Sequence, residues 1–376
     1  FFYGTARVPS VETRTLHVLK EQQRQLGDDV STLEKSHVLT KAEVAPLIVL
    51  KKEEGKEKWI NAYGLLHILS SIVTLPIWWM AMTITDAVCN AYPDLDPHRA
   101  VYDKTGKIWS KVYLSLTNSY PVISGDLERL KDNKEQTACL FVANHASWLD
   151  IPVLCTVLDP VFKFIAKGEL LSVPCIGKQL KGGNHILIDR EDRRSQLRTF
   201  KEGVSWLDKG VPLMAFPEGK RSMDGRLMDF KGGAFSMAVR SKVPIVPISI
   251  SNTHAVMPSN ALLPVQAGAG KLHVHVHSPI DVEGKSEDEL AELVRTALLS
   301  KIPSDQQPLV KEVETAGDSS DIQNHVEKLV PQIINIATKD HSKEQRITAA
   351  QHHEQNTKKL DMGKSSKLQK NFIEKT

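Results

Sequence analysis

Two residue types at one spacing carry the first chemical signal in this 376-residue chain: His145 is followed, after four residues, by Asp150, and an apolar run ending at Ala143 leads into them. An imidazole exchanges a proton near neutral pH, and a carboxylate beside it fixes the tautomer and stabilises the imidazolium. The pair is therefore a candidate general base with its orienting acid, suited to taking the proton of a hydroxyl. A second role fits the same residues. Ser147 and Asp150 have the spacing of a capping box, which would make Asp150 a residue of a helix start. Pro152 sits awkwardly for a helix beginning at Ser147, because it removes a backbone donor from the first turns.

Cations gather at similar places. Glu218-Gly219-Lys220-Arg221-Ser222 follows an apolar run and Pro217: glycine lets a backbone approach a ligand, and Arg221 offers a planar fork for phosphate with Lys220 as a second charge. A turn with solvated charges explains that stretch equally well. Lys167 and Arg190 also end apolar runs, where each singly reads as a surface charge or a cap. If the runs are parallel neighbouring strands, Lys167, Arg190, Lys220 and Arg221 converge near His145 and form an anion site beside a base. His273, His275 and His277 alternate with valines; they read as the polar outer face of a half-buried strand, with a metal site as the weaker reading. Ser147, Ser222 and Ser236 lie outside any G-x-S-x-G elbow, which disfavours a serine hydrolase.

The elements that must position these residues follow a rhythm. Candidate strands cover residues 138–143, 162–166, 185–188, 211–216, 243–250 and 272–277. Leu197, Phe200, Val204 and Leu207 recur at helical spacing before Gly210, a natural C-terminal cap. Ser286 to Glu289 forms a capping box before a helix whose apolar face is Leu290, Leu293, Val294, Ala297 and Leu298. This repetition predicts an α/β fold, a mixed and largely parallel sheet covered by helices. Residues 59–85 contain no charge, and about 20 apolar residues suffice to cross a bilayer. His67, Ser70, Ser71 and Pro76 interrupt the run, so a single span, a re-entrant hairpin with a break, and a buried helix pair all remain open. The expected organisation is a polar extension over 1–58, helical or partly disordered; a membrane-associated segment or hairpin over 59–89; an α/β domain over 90–303; and a polar tail over 304–376, with a helix at 326–336. Residues 1–20 have the composition of a transit-sequence remnant.

Composition excludes little but is consistent with this picture. With 41% hydrophobic residues the chain can build a real core, and a net charge of +3 gives no reason to expect a nucleic-acid partner. The four cysteines are far apart and without a CxxC pair, so they read as reduced and structural.

Taken together, the blocks resemble the glycerolipid acyltransferases, specifically the 1-acyl-sn-glycerol-3-phosphate (lysophosphatidate) acyltransferases. Asn144-His145-Ala146-Ser147-Trp148-Leu149-Asp150 is similar to that family's NHxSxxD block, and Gly183 to Arg190 to its second. Phe216-Pro217-Glu218-Gly219-Lys220-Arg221-Ser222 is similar to the third, and Val243-Pro244-Ile245-Val246-Pro247-Ile248 to the fourth. The resemblance covers about residues 59–300. It implies His145 as base and Asp150 as its partner, Lys167, Arg190, Glu218, Gly219 and Arg221 at the acceptor phosphate, and Asn144, Ser147, Lys220, Ser222 and Pro247 in support, Pro247 lying in the block associated with the acyl donor. Glu218 is expected to orient Arg221 or a glycerol hydroxyl. Lys220 departs from the usual threonine. The implied reaction needs no metal or cofactor: an acyl chain passes from acyl-CoA or acyl carrier protein to the sn-2 hydroxyl of lysophosphatidate at a membrane, in the endoplasmic reticulum or plastid envelope. Glycerol 3-phosphate or another lysophospholipid is the alternative acceptor, and a non-catalytic lipid-binding membrane protein the alternative class.

Overall fold

The structure is a computed structural model that describes residues 38–51, 57–127, 138–158 and 162–309. The transit-like stretch, most of the tail and the helix expected at 326–336 lie outside the described residues. The elements run in order as α1 (Lys41–Val44), β1 (Ile48–Lys51), β2 (Glu57–Ile60), α2 (Ala62–Ala91), α3 (Ala100–Leu116), β3 (Val122–Gly125), β4 (Leu140–Ala143), α4 (Asp150–Val157) and β5 (Lys163–Lys167). They continue as α5 (Ile176–Gly182), β6 (Ile186–Ile188), α6 (Arg193–Asp208), β7 (Leu213–Ala215), α7 (Gly233–Ser241), β8 (Ile245–Ser251), α8 (Thr253–Val256), β9 (His273–Val276) and α9 (Glu287–Leu299).

Seven strands form one sheet in the order β3-β9-β8-β4-β7-β5-β6. β8, β4, β7, β5 and β6 run parallel to one another, and β9 is antiparallel to β8. The expected mixed, largely parallel sheet is what forms. Its central strand, β4, is buried at every position, as a strand covered by helices on both faces must be, so it reads as an unbroken apolar run. Each of the six expected strand runs overlaps a strand of this sheet, with β5 and β8 each running one residue further. The seventh strand, β3, went unread because it is short, at an edge, and alternates between exposed and half-buried.

The helices show how close packing selects residues. α6 buries Thr199, Gly203, Trp206 and Leu207, whereas Leu197, expected on its apolar face, is exposed. The reason is proximity: a Cβ on Gly203 would sit 2.6 Å from Met237 Sδ, so the closest approach falls at small residues and rotates the helix. Gly210 follows α6 with φ +83° as a left-handed cap. α9 carries the expected capping box and buries all five expected apolar residues.

Residues 59–85 lack the break that the re-entrant hairpin and the buried helix pair require. α2 is one unbroken helix of 30 residues with Pro76 inside it, and its partner is not a second half of the same segment but α3, which the sequence hid in a polar connection. The polar residues that seemed to weaken the segment face α3. His67 Nδ1 lies 2.8 Å from the Tyr113 hydroxyl, and Trp109 Nε1 donates to Thr74 Oγ1 at 3.2 Å. Ser71 and Thr74 also return their hydroxyls to the helix's own carbonyls, so they do not break the backbone ladder. Leu69, Ile72, Val73, Ile77 and Ile84 are turned outward, at roughly three-fifths exposure. α2 thus turns His67, Ser70 and Thr74 inward along with Trp78 and Met82, keeps an apolar row outside, and is long and apolar enough to cross a membrane. The lead-in also departs from expectation, since β1 and β2 pair as an antiparallel hairpin within it.

Candidate active site

The site is built where β4 leaves the sheet. Asn144 fixes that exit: its amide donates to the Ile250 carbonyl and accepts from the Ile250 N–H, both at 2.8 Å. A side chain thereby continues the pairing of β4 with β8 for one more step, and the next residue is turned out of the sheet. That residue is His145. Its ring stacks on Phe216 at 4.0 Å between centroids, and its Nδ1 lies 2.7 Å from Asp150 Oδ2.

Asp150 has no exposed surface. Its Oδ2 also accepts the N–H groups of Ala146 and Ser147, each at 2.9 Å, so a single oxygen gathers the loop and the imidazole. An ionised carboxylate only accepts, which puts the proton of the imidazole on Nδ1 and leaves Nε2 with its lone pair. The capping box expected at Ser147 does not form. The helix begins at Asp150 itself, and Ser147 sends its hydroxyl to the Met257 carbonyl at 2.9 Å. Half of such a box is present, since Asp150 accepts the Ser147 N–H, but the Ser147 hydroxyl is turned to Met257 and does not receive the Asp150 N–H.

Glu218, expected to orient Arg221 or a glycerol hydroxyl, turns its carboxylate to the backbone. Its carboxylate, 3% exposed, accepts the His145 N–H at 2.6 Å and the Met228 N–H at 2.9 Å. It ties the β4 exit to the segment after β7. Burial pushes this carboxyl up to about 7, against the two backbone donors that favour its charged form. Gly219 takes φ +72°, a left-handed turn that glycine adopts without strain and that swings Lys220 and Arg221 outward. Both cations are exposed. Ser222 returns inward: its N–H donates to the His145 carbonyl at 2.8 Å and its hydroxyl to Asp224 at 2.8 Å.

Lys167 and Arg190 stand two and three strands from β4, at the exits of β5 and β6, with Lys167 opposite Ile188 in the register. Lys167 pairs with Glu169 at 2.6 Å. Partial burial draws the Arg190 guanidinium below its ordinary value, with Glu169 opposing the shift. All four cations therefore lie on the carboxyl edge of one parallel array, the edge at which open α/β sheets bind ligands. Pro247 is buried in β8, opposite Val142 of β4, and its carbonyl accepts the His277 N–H. It supports the strand and needs no donor there.

Other residues lay outside any sequence signal. His254 of α8 is buried beside the loop, packed so closely that a Cβ on Gly225 would meet its ring at 2.8 Å. Lys163, fully buried, donates to Asp103 at 2.6 Å and to the Gly183 carbonyl at 2.7 Å, and His185 Nε2 lies 3.2 Å from the same Asp103. These partners are 20 or more residues apart in the chain, beyond any local pattern. Beside the site, Trp148, Ile151 and Cys155 face Gly106, Trp109 and Ile176 across an apolar cavity of about 90 Å³.

Two of the three histidines at and just after β9 differ from the expected polar outer face, His273 being half-buried. His275 and His277 are buried, with Ser124 and Ser249 as hydrogen-bond partners at 2.9 and 2.8 Å. Among the described residues no group of three or more His, Cys, Asp or Glu could hold a metal ion.

Comparison with known proteins shows what the chain is similar to. Residues 126–251 match the Acyltransferase family model. A 1-acyl-sn-glycerol-3-phosphate acyltransferase of Chlamydomonas reinhardtii is 38% identical over 164 residues, 44% of this chain and 48% of that protein. The protein of that name from Saccharomyces cerevisiae is 30% identical over 57% of this chain and 67% of its own length. The crystal structure of the LPA acyltransferase PlsC from Thermotoga maritima superposes with a TM-score of 0.52 at 26% identity, covering 62% of this chain and 92% of that one. The chain spans about half the length of the first curated relatives it matches. On the strength of the yeast relative, the chain belongs to the 1-acyl-sn-glycerol-3-phosphate acyltransferase family.

Proposed function

We propose that this protein transfers an acyl chain from a thioester to the sn-2 hydroxyl of lysophosphatidate, giving phosphatidate. One observation carries the reading: His145 has its Nδ1 tied to a buried carboxylate, with Nε2 left to accept a proton at an edge that also carries four cations. The hydroxyl proton passes to Nε2 as the oxygen attacks the thioester carbonyl. The C–O bond forms, the C–S bond breaks, and the proton leaves with the thiol, so the base is restored and no acyl-enzyme is needed. Arg221, Lys167 and Arg190 hold the acceptor phosphate. Asn144, Ser147, Ser222 and Glu218 position the loop that carries the base, and Lys220 adds a charge at its rim.

The donor is acyl-CoA or acyl carrier protein, and the cavity beside Trp148 has the apolar lining an alkyl chain requires. The outward apolar face of α2 supports attachment to a bilayer, where acceptor and product reside. No cofactor enters the scheme. The test is release of free thiol from acyl-CoA, and separately from acyl carrier protein, by purified protein, with lysophosphatidate, glycerol 3-phosphate and lysophosphatidylcholine offered in turn. Release only with lysophosphatidate upholds the reading. Release only with glycerol 3-phosphate would reassign the acceptor, and none with any acceptor or either donor would make the protein a lipid binder.

A further inference from the structure

Outside the site, the least expected surface is the β1–β2 hairpin. Leu47, Ile48, Val49 and Leu50 are consecutive and all exposed, Leu47 to 60%. Successive strand residues point to opposite faces, so this ribbon shows apolar side chains on both. A two-stranded hairpin is marginal in water by itself, and leaving both faces of its outer strand apolar makes it more so.

Its position is defined by hydrogen bonds. The Leu47 N–H donates to the Ile60 carbonyl at 2.9 Å, and α2 begins two residues later with Asn61 as its cap. Leu47 and Ile48 therefore adjoin the first turns of α2, where its own outward row begins with Leu65, Leu66 and Leu69. On the other side the Trp59 N–H donates to the Asn260 carbonyl and the Leu262 N–H to the Trp59 carbonyl. Lys58 reaches the Ser259 carbonyl, and Ser259 in turn donates to the Met223 carbonyl at 3.0 Å. Leu262 and Met223 are both exposed, Met223 to 67%. Met223 follows Arg221 and Ser222, the loop that meets the His145 carbonyl. An apolar seam, crossed by the polar link of Lys58, Ser259 and Asn260, thus runs from α2 through the hairpin to the loop of the candidate site, ending beside two exposed cations.

We propose that this seam is a second lipid-contacting surface, which seats the mouth of the site on the interface of a phospholipid bilayer. The proposal rests on the reading of α2 as lipid-embedded. A lipid phase fits better than a folded partner, because a protein surface covers one face of a ribbon while lipid wraps both. The seam is continuous with the outward face of α2, and Lys220 and Arg221 at its end match an anionic interface.

The experiment uses the full chain in phosphatidylcholine vesicles containing a minor fraction of phosphatidate. Single cysteines at Ile48→Cys and Met223→Cys are labelled with a polarity-sensitive fluorophore, with Ile72→Cys on α2 and Glu283→Cys as references and unsubstituted protein correcting for the native thiols. Expected is a blue shift at 48 and 223 and quenching by nitroxide lipid at least half as deep as at 72, with none at 283. Quenching at 72 but not at 48 and 223 would overturn the seam and leave α2 in lipid. No quenching at 72 would instead remove the reading on which the seam depends. As a second readout, Ile48→Ser with Leu50→Ser should lower turnover of vesicle-borne lysophosphatidate roughly tenfold, with turnover of a short-chain, monodisperse acceptor unchanged. An equal loss on both acceptors would point to damage of the fold and also overturn the seam.

Discussion

Asp150 binds three donors through one oxygen, so it does two things at once: it closes the loop over Ala146 and Ser147 and it sets the tautomer of His145. Replacing it separates the two. In Asp150→Asn an amide oxygen can hold the loop donors but brings no charge to stabilise the imidazolium, and an amide nitrogen facing Nδ1 would favour the wrong tautomer. Turnover should fall by about 10³- to 10⁴-fold with the melting transition retained, and near-normal turnover in a folded protein would remove Asp150 from the chemistry. His145→Ala should lose at least as much. Glu218 behaves differently because its folded-state value is raised, to about 7 from 4.5. The folded chain then holds this proton more tightly than the unfolded chain, so the contribution is greatest below about 4.5 and declines as pH rises through about 7. The shift corresponds to about 3 kcal/mol. Urea unfolding of wild type and Glu218→Gln should show wild type the better of the two at pH 5, with that margin shrinking by a comparable amount by pH 8; a margin independent of pH would refute the assignment. The His–Asp pair was legible because both residues lie within one short block. The role of Glu218 was not, since its partner is the backbone of a residue 73 positions away.

At the scale of elements, what could be read followed from how each is buried. β4, β8 and α9 announce themselves because their buried residues are apolar and regularly spaced. α3 does not. It buries Tyr102, Gly106, Trp109, Ser110, Tyr113 and Leu114, a face of mixed small, polar and aromatic groups interleaved with lysines, and its partner α2 buries His67, Ser70 and Thr74 beside Trp78 and Met82. Inner faces that mix polar, aromatic and apolar groups give a weak apolar period, while much of the aliphatic surface of α2 marks the outside. The same helix carries Asp103 to the buried Lys163, which joins the helical pair to the sheet. Removing one partner strands the other's charge in the interior, so Asp103→Ala should destabilise by about 3–5 kcal/mol in urea unfolding, whereas Asp103→Leu with Lys163→Met should recover most of that loss. If the double substitution costs as much as the single one, the link is packing rather than charge.

Across the whole molecule, the parallel array explains why cations 54 residues apart in the chain, Lys167 and Arg221, are candidates for one ligand. Parallel strands place their carboxyl ends on one edge at about 4.8 Å per strand, so the exit of β5 lies about 10 Å from that of β4 and the exit of β6 about 14 Å. Long side chains bridge such distances, and a phosphate a few ångströms from the base lies within reach of β7 and β5 together. The order of strands that creates this edge was not in the sequence; only the recurrence of cations after apolar runs was, and it needed the sheet order to become a site. The proposal makes a joint prediction. Arg221→Ala and Arg190→Ala should each raise KM for lysophosphatidate roughly tenfold, with kcat and the KM of the thioester little changed. If both grip the same phosphate, the double variant should lose less than the sum of the two, because the second substitution removes a contact that the first has already loosened. With 1-monoacylglycerol, which lacks the phosphate, neither substitution should matter, and the preference for the charged acceptor should collapse in the double variant. Strictly additive losses, or equal losses on the neutral acceptor, would place Arg190 on a different group and confine the anion site to the loop of Arg221.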